Sequence, residues 1–533
     1  MCGIIALVSR PASRVAPTSE ELLAGLDDAV TQARQDIGAG AARVAAVDSA
    51  LKGLPGVQAL VGKPELVAGI TARLDQLDAI AADEERRIEA LEGAASDELE
   101  AANASLIALR DAIWAVRKDR LRTAREVAAL AAGETGASTL GAYLVVQQAL
   151  SAIDRLEVRG RDSAGIHLFV WGHDLDPDDL AVASLIAERS TDPLFASGSV
   201  RLAGDCLSFV YKAAAEIGEL GDNTKALRRG VENDVLLRLA LRAPGAQVAL
   251  LGHTRWASVG IISEPNAHPL NSEELDGGSV GPYVVGALNG DVDNHADLKA
   301  EFQLGIPTLI TTDAKVIPTL VSRHTAASGD LVEGFRRTVS EVRRIGRHRC
   351  RLGVRAYRLR RRCGQQALYV GLGDDCFIVA SEPYGVVEET ARRSGWWARA
   401  SGRPRTRASR QILRLDASHA GESGAASPMT GHWSFRVDID AVTAEVTTRE
   451  PSTVATLRTS CSRRSARRRR ASARPFKIIE QTGLRKVFLG GTYPGDPERL
   501  TSGTLRRILV IGQGTAAVAG QAGWRRARRT RRR

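Results

Sequence analysis

From about Pro11 to Gly133 the chain is written in Ala, Glu, Leu and Arg, and its apolar residues recur four and three apart. Ile70, Leu74, Leu77, Ala81, Ile88, Leu91 and Ala95 form one such row, interrupted by Glu84. Leu99, Ala102, Leu106, Leu109, Ile113, Val116, Val127 and Leu130 form a second. Residues at this spacing share one face of a helix, so each row predicts a long helix with a coiled-coil-like seam. Gly93 supplies a stop and Ser96-Asp97 an N-cap, which predicts that the two helices pack as an antiparallel hairpin. A seam of this kind needs no role beyond packing. Ahead of it, Gly3 to Ser9 reads as a buried strand.

At about 150 residues per domain, 533 residues imply three or four domains, and 44% apolar content supplies their cores. Six cysteines without a CxxC pair or His/Cys ligand spacing argue against a zinc module or a disulfide scaffold, and neither a metal nor a cofactor is expected. No run approaches the roughly 18 apolar residues of a membrane span, and no basic segment precedes the short apolar start. These features predict a soluble cytoplasmic protein without a membrane partner.

The net charge of +11 is very unevenly distributed. Four windows, 343–362, 392–410, 458–474 and 525–533, hold 32 arginines in 65 residues with no Lys, Asp or Glu, which leaves the other 468 residues at −21. The body is therefore acidic, and the arginine blocks alone invite a nucleic-acid reading. Each block begins and ends abruptly between stretches of ordinary mixed sequence. Lysine-free arginine text is what GC-rich codons give in a wrong frame, so the blocks are expected to be frame-shifted sequence and nucleic acid is not the expected partner.

After Thr139 the text becomes mixed. It predicts a helix at about 140–157, strands around 165–171, 247–252 and 283–288, and a helix near 313–324. A turn and strand follow at 371–381, one or two strands at 436–448, and strand, glycine turn and helix start from Arg507 to Gly520.

Once Met1 is removed, as a small second residue permits, Cys2 carries both a thiol and a free α-amine. The amine, with a pKa of about 8, is suited to take the thiol proton, so one residue offers nucleophile and base together. A lone cysteine more often simply packs. Five blocks in order change that: Met1 to Ile5, RLEVRGRDSAGI (Arg155 to Ile166), GHTRWASVGIISEPNAHPL (Gly252 to Leu270), LNGDVDNHADLK (Leu288 to Lys299) and TTDAKVI (Thr311 to Ile317). Together they resemble the glutaminase half of the glutamine:fructose-6-phosphate aminotransferases, the isomerizing glucosamine-6-phosphate synthases among class II glutamine amidotransferases.

The resemblance implies an α+β fold, an N-terminal-nucleophile αββα sandwich, here carrying the helical hairpin in a surface loop. It implies that Cys2 attacks the side-chain amide of glutamine, with Asn289 and Gly290 as the oxyanion hole. It implies that Arg255 holds the α-carboxylate of glutamine, Asp313 its α-ammonium group, and that Trp256 lies on a closing loop. Where the family usually continues Arg-Trp-Ala with Thr and His, this chain has Ser258 and Val259, so a backbone contact at 258 is expected to survive and a side-chain role at 259 to be lost.

Ile508 to Gly520 resembles the opening strand and phosphate-side turn of a sugar-isomerase (SIS) domain. A single βαβ unit needs roughly 30 residues, and 21 follow Gly512, so a truncated isomerase start is expected. The expected division is an amidotransferase domain at 1–10 and 134–449, the helical insert at 11–133, a partly arginine-rich linker at 450–505 and the isomerase start at 506–533. The expected function is glutamine hydrolysis to glutamate and ammonia in amino-sugar synthesis. Glutamine is the expected partner, with fructose 6-phosphate in an intact relative and a homodimer left open. Two alternatives stand beside it: a glutaminase serving another acceptor, and an inactive, arginine-rich nucleic-acid-binding protein.

Overall fold

The computed structural model describes residues 2–90, 96–214, 219–275 and 281–342, and, of the rest, chiefly 349–355, 358–363, 369–382, 388–389, 412–416 and 427–428. The strands expected at 436–448, the segment from Arg507 to Gly520 and the arginine windows 392–410, 458–474 and 525–533 lie outside the described residues.

Strand β1 (Gly3–Ser9) alternates: Ile5 and Leu7 pack among helices, while Ile4, Ala6 and Val8 pack between two sheets. The other strands are β2 (Ser163–Trp171), β3 (Val200–Ala203), β4 (Cys206–Ala213), β5 (Gln247–Arg255), β6 (Leu270–Asn271) and β7 (Val285–Gly290). After them come β8 (Arg349–Arg355), β9 (Arg358–Cys363), β10 (Tyr369–Leu372), β11 (Cys376–Ala380), β12 (Ile412–Asp416) and β13 (Ser427–Pro428). One antiparallel sheet runs β10-β11-β1-β5-β2-β4-β3, the other β13-β12-β9-β8-β7-β6. The first strand of the chain thus sits inside its sheet, between β5 (Ile4 opposite His253) and β11 (Ile5 opposite Ala380). The first arginine window supplies β8 and β9, which pair with one another and, through β8, with β7, so that block is part of a sheet.

The helices are α1 (Ser19–Ala33), α2 (Ile37–Ala50), α3 (Gly53–Leu60), α4 (Pro64–Glu89), α5 (Ser96–Trp114), α6 (Arg122–Ala131) and α7 (Ala137–Leu156). They continue as α8 (Leu180–Ser190), α9 (Asp222–Glu232), α10 (Val235–Leu241), α11 (His295–Glu301), α12 (Val316–Ser328) and α13 (Leu331–Glu341). Helix α7 packs its apolar face on one side of the first sheet, and α12 and α13 cover β7 of the second, giving four layers with the sheets inside.

The helical stretch is more than the two-helix hairpin expected from the seams. Helices α4 and α5 do bury Ile70, Leu74 and Leu77 with Leu106, Leu109 and Ile113, but α1 and α2 add Leu22, Leu26, Val44 and Val47 to the same core. The extra helices are set by caps that break the chain between short apolar rows. Thr18 and Glu21 form a capping box, and Asp36 Oδ1 accepts from the amides of Gly38 (2.7 Å) and Ala39 (3.2 Å). Helix α5 runs on through seven π-helical residues, Ala115–Leu121, into α6.

Candidate active site

Cys2 precedes β1, and that strand's first residues are fixed from both sides. The Gly3 amide donates to Thr254 Oγ1 at 3.0 Å. The Ile4 amide donates to Ser381 Oγ at 2.9 Å while Ser381 N returns a bond to Ile4 O at 2.9 Å. A Cβ at position 3 would lie 2.6 Å from Thr254 Oγ1 and 2.7 Å from Leu156 Cβ, so the cysteine has to be followed by glycine.

The Cys2 side chain is buried, with the Trp256 amide donating to its sulfur at 3.4 Å and the Trp256 carbonyl 3.7 Å away. Burial pushes the thiol pKa up, and the Trp256 N–H and the Arg255 charge oppose that rise. Asn289 Nδ2 donates to the carbonyl of Cys2 at 2.7 Å. Asn289 and Gly290 end β7, so this bond ties the second sheet to the residue before β1. Gly290 has φ 142°, a conformation that favours glycine.

Arg255 ends β5 and is buried, its Nη1 donating to Ile261 O at 3.0 Å and its Nη2 to Val259 O. The guanidinium therefore holds the 256–261 loop from within, using two of its five N–H groups. Trp256 itself is 60% exposed. Ser258 Oγ donates to Asp291 Oδ1 at 2.5 Å, so the side chain is in use where a backbone contact was expected. Asp313 opens a 3₁₀ turn and its Oδ2 accepts from the Val292 amide. Burial raises the pKa of this carboxyl, opposed by the Val292 bond and by the charge of Arg255.

Cys2, Asn289 and the Trp256 backbone are in direct contact, and Arg255 and Asp313 feel each other's charge. Gly290 and Ser258 join them through Asp291, which follows Gly290 in the chain. Three positions that the sequence reading gave no role complete the frame. Asp162 Oδ2 accepts from Ala257 N at 2.7 Å, and its own amide donates to Arg255 O at 3.1 Å. A Cβ on Gly160 would lie 2.6 Å from Arg255 C and Trp256 N, so the Gly-Arg-Asp turn packs directly under the loop. Asn266 Oδ1 accepts from the amides of Thr311 (2.7 Å) and Thr312 (2.8 Å), and Thr311 Oγ1 in turn accepts from Ile261 N at 3.1 Å. The available signal was that these residues lie inside the blocks that carried the resemblance.

The rings of His253 and His268 lie tilted against one another with centroids 4.4 Å apart, and His253 Nε2 is 3.1 Å from Leu288 O. Burial lowers the His253 pKa to about 3 and that of His268 well below the usual value, so both rings are neutral near pH 7. Among the described residues no group of three or more His, Cys, Asp or Glu side chains could hold a metal ion. None of their helices is long and apolar enough to cross a membrane.

No family model matches the chain. It is 32% identical over 143 residues to the glutamine–fructose-6-phosphate aminotransferase (isomerizing) of Xanthomonas campestris, which covers 26% of this chain and 22% of that protein. The enzyme of the same name from Chlamydia caviae is 28% identical over 254 residues, 47% of this chain and 32% of the relative. The Escherichia coli enzyme is 29% identical over 163 residues, 30% of this chain and 25% of the relative. The chain resembles these aminotransferases in sequence. It spans between 22% and 32% of the length of the Xanthomonas and Chlamydia relatives. A solved class-II glutamine aminotransferase domain protein from Silicibacter pomeroyi aligns over 48% of this chain and 95% of its own, at 12% identity and a TM-score of 0.24.

Proposed function

We propose that the chain is a glutamine-dependent amidotransferase that hydrolyses glutamine to glutamate and ammonia at Cys2, on an N-terminal-nucleophile αββα fold. The observation that carries the reading is the 2.7 Å bond from Asn289 Nδ2 to the Cys2 carbonyl, beside the Trp256 amide on the sulfur. It brings three of the five sequence blocks, drawn from both sheets, to one point.

With Met1 removed, the α-amine of Cys2 takes the thiol proton and the thiolate adds to the amide carbon of glutamine. The second N–H of Asn289 Nδ2 and the Gly290 amide receive the oxyanion. The ammonium group returns its proton to the departing nitrogen, ammonia leaves, and a γ-glutamyl thioester remains on Cys2. Water adds to the thioester with the amine again as base, and glutamate is released. The N–H groups of Arg255 not used on the loop carbonyls hold the α-carboxylate, and Asp313 accepts from the α-ammonium group. Trp256, exposed on its loop, covers the bound substrate.

In this reading residues 1–10 and 134–449 form the amidotransferase domain, 11–133 the inserted helical unit and 450–505 a linker, and 506–533 resemble the opening of a sugar-isomerase domain. Fructose 6-phosphate, which the relatives are named for, is the acceptor expected in an intact relative and is the acceptor to test here. The experiment is glutamate release from glutamine by the purified chain, with and without fructose 6-phosphate. Glutamate in both reactions supports the glutaminase site, and glucosamine 6-phosphate in the second supports the acceptor. Absence of glutamate in both would refute the reading.

A further inference from the structure

The second heptad row reads Leu109, Ile113, Val116, then Val127 and Leu130, and the same four-and-three spacing puts positions 120 and 123 in the row between them. Those positions are Arg120 and Thr123, both buried. A buried arginine in a packing seam costs desolvation unless its whole fork is satisfied. Here it is. Arg120 Nε donates to Asp48 Oδ1 of α2 at 3.0 Å, Nη1 to Glu389 Oε1 at 2.5 Å and Nη2 to the Glu388 carbonyl. The cluster extends outward: Glu389 Oε2 accepts from Gly53 N at 3.1 Å, and Glu388 accepts from Thr123 Oγ1 (3.2 Å) and Arg122 (3.1 Å) and pairs with Arg155 of α7 at 2.8 Å.

Arg120 lies in the π-helical turn between α5 and α6, the widened stretch in which a helix departs from its ordinary seam. Its partners Glu388 and Glu389 do not belong to the bundle. They follow β11 by a few residues, on the segment whose Ser381 exchanges both hydrogen bonds with Ile4 and whose Glu382 pairs with Arg159 at 2.6 Å. Ile4 is two residues from Cys2, and Arg159 begins the Arg-Gly-Arg-Asp turn that holds the Trp256 loop. One buried guanidinium thus joins the helical unit to residues that neighbour Ser381, bonded to Ile4, and Glu382, paired with Arg159.

We propose that Arg120 is a positioning residue for the Cys2 site, acting through Glu388 and Glu389, so that the helical unit sets the geometry of the nucleophile as well as packing on it. The proposal rests on the reading of Cys2 as nucleophile. Together with Lys52, which pairs with Asp48 at 3.7 Å, Arg120 offsets the mutual repulsion of Asp48 and Glu389, and it holds Glu388 and Glu389 near the Ser381 that bonds Ile4.

The test uses the full chain and two readouts, glutamine turnover and the rate at which iodoacetamide alkylates Cys2, followed by mass spectrometry of the N-terminal peptide. Arg120→Lys keeps the charge but loses the fork, and Arg120→Met/Glu389→Gln removes one charge of each sign while leaving Asp48 paired with buried Lys52 at 3.7 Å. The expected result in folded Arg120→Lys is a kcat lowered about 10-fold at unchanged glutamine KM, with a changed Cys2 alkylation rate. The double variant is expected to fold and show the same two changes, because neutral side chains do not rebuild the clamp. Unchanged kcat and alkylation rate in both folded variants would overturn the proposal. If the unmodified chain does not turn over glutamine, the proposed function fails, and the alkylation rates alone still decide whether Arg120 positions Cys2.

Discussion

The helical bundle and the layer between the two sheets bury side chains on opposite principles. The bundle core is Leu, Ile, Val and Ala from α1, α2, α4 and α5, and many of its charges sit outside as pairs such as Arg110–Glu85 and Arg117–Asp75. The inter-sheet layer is apolar at one end, with Val8, Phe169, Trp171 and Ala249. Towards Cys2 it fills with buried His167, His253, His268, Lys212 and Arg255. Burying so many polar groups is tolerable only where each finds a partner or gives up its charge, and the neutral histidines show the second route. On the proposed reading, stability resides mainly in the first region and the chemistry in the second.

The sharpest way to break that division is Asn289→Ala. Removing the donor between the sheets is expected to lower kcat for glutamine by about 10²- to 10³-fold with little change in KM, as for a group used in the transition state. An equal loss in KM would assign Asn289 to substrate binding instead. Leu74, fully buried at the centre of the bundle, should behave in the opposite way. Leu74→Ala is expected to cost about 2–5 kcal/mol of unfolding free energy in denaturant titration, with kcat of the folded protein unchanged.

Lys212 sharpens the comparison from the polar side. Its Nζ is buried without a hydrogen-bond partner, 4.9 Å from the Phe195 ring centre, and burial lowers its pKa to about 7. A lysine of the unfolded chain titrates near 10.4, so between about pH 7 and 10 the unfolded state binds more protons and stability rises with pH. Lys315, also lowered to about 7, adds to the same slope. Lys212→Met is therefore expected to raise the melting temperature at pH 7 and to flatten the rise towards pH 10. A melting temperature at pH 7 that falls would show that the lysine has a stabilising partner. The smallest effect belongs to the bundle surface. Arg110→Ala removes an exposed pair with Glu85 and is expected to leave the melting temperature unchanged.

How legible each region is in the sequence follows from the same contrast. Apolar periodicity announced the seams of α4 and α5 and the strand β1, because their burial is simply hydrophobic. It did not announce α1 and α2, whose boundaries depend on caps at Thr18 and Asp36, nor α3, α8, α9 and α10. Periodicity is silent about buried polar residues, and so Arg120 fell out of its own row. Asn289, Arg255 and Asp313 were assigned only through resemblance, and Cys2 through its thiol and α-amine as well. Asp162, Gly160 and Asn266 were not assigned, because their work is to bond backbone amides or admit a close approach across the fold, and neither leaves a spacing in the chain.

The central claim, that Cys2 is the nucleophile of a glutaminase site, is tested most directly by acid-quenching the purified chain during turnover of glutamine and mapping the peptides by mass spectrometry. A γ-glutamyl group on the sulfur of Cys2, absent in Cys2→Ala together with all glutamate release, is the predicted result. Glutamate release that persists in Cys2→Ala, or a glutamyl adduct on another residue, would contradict it.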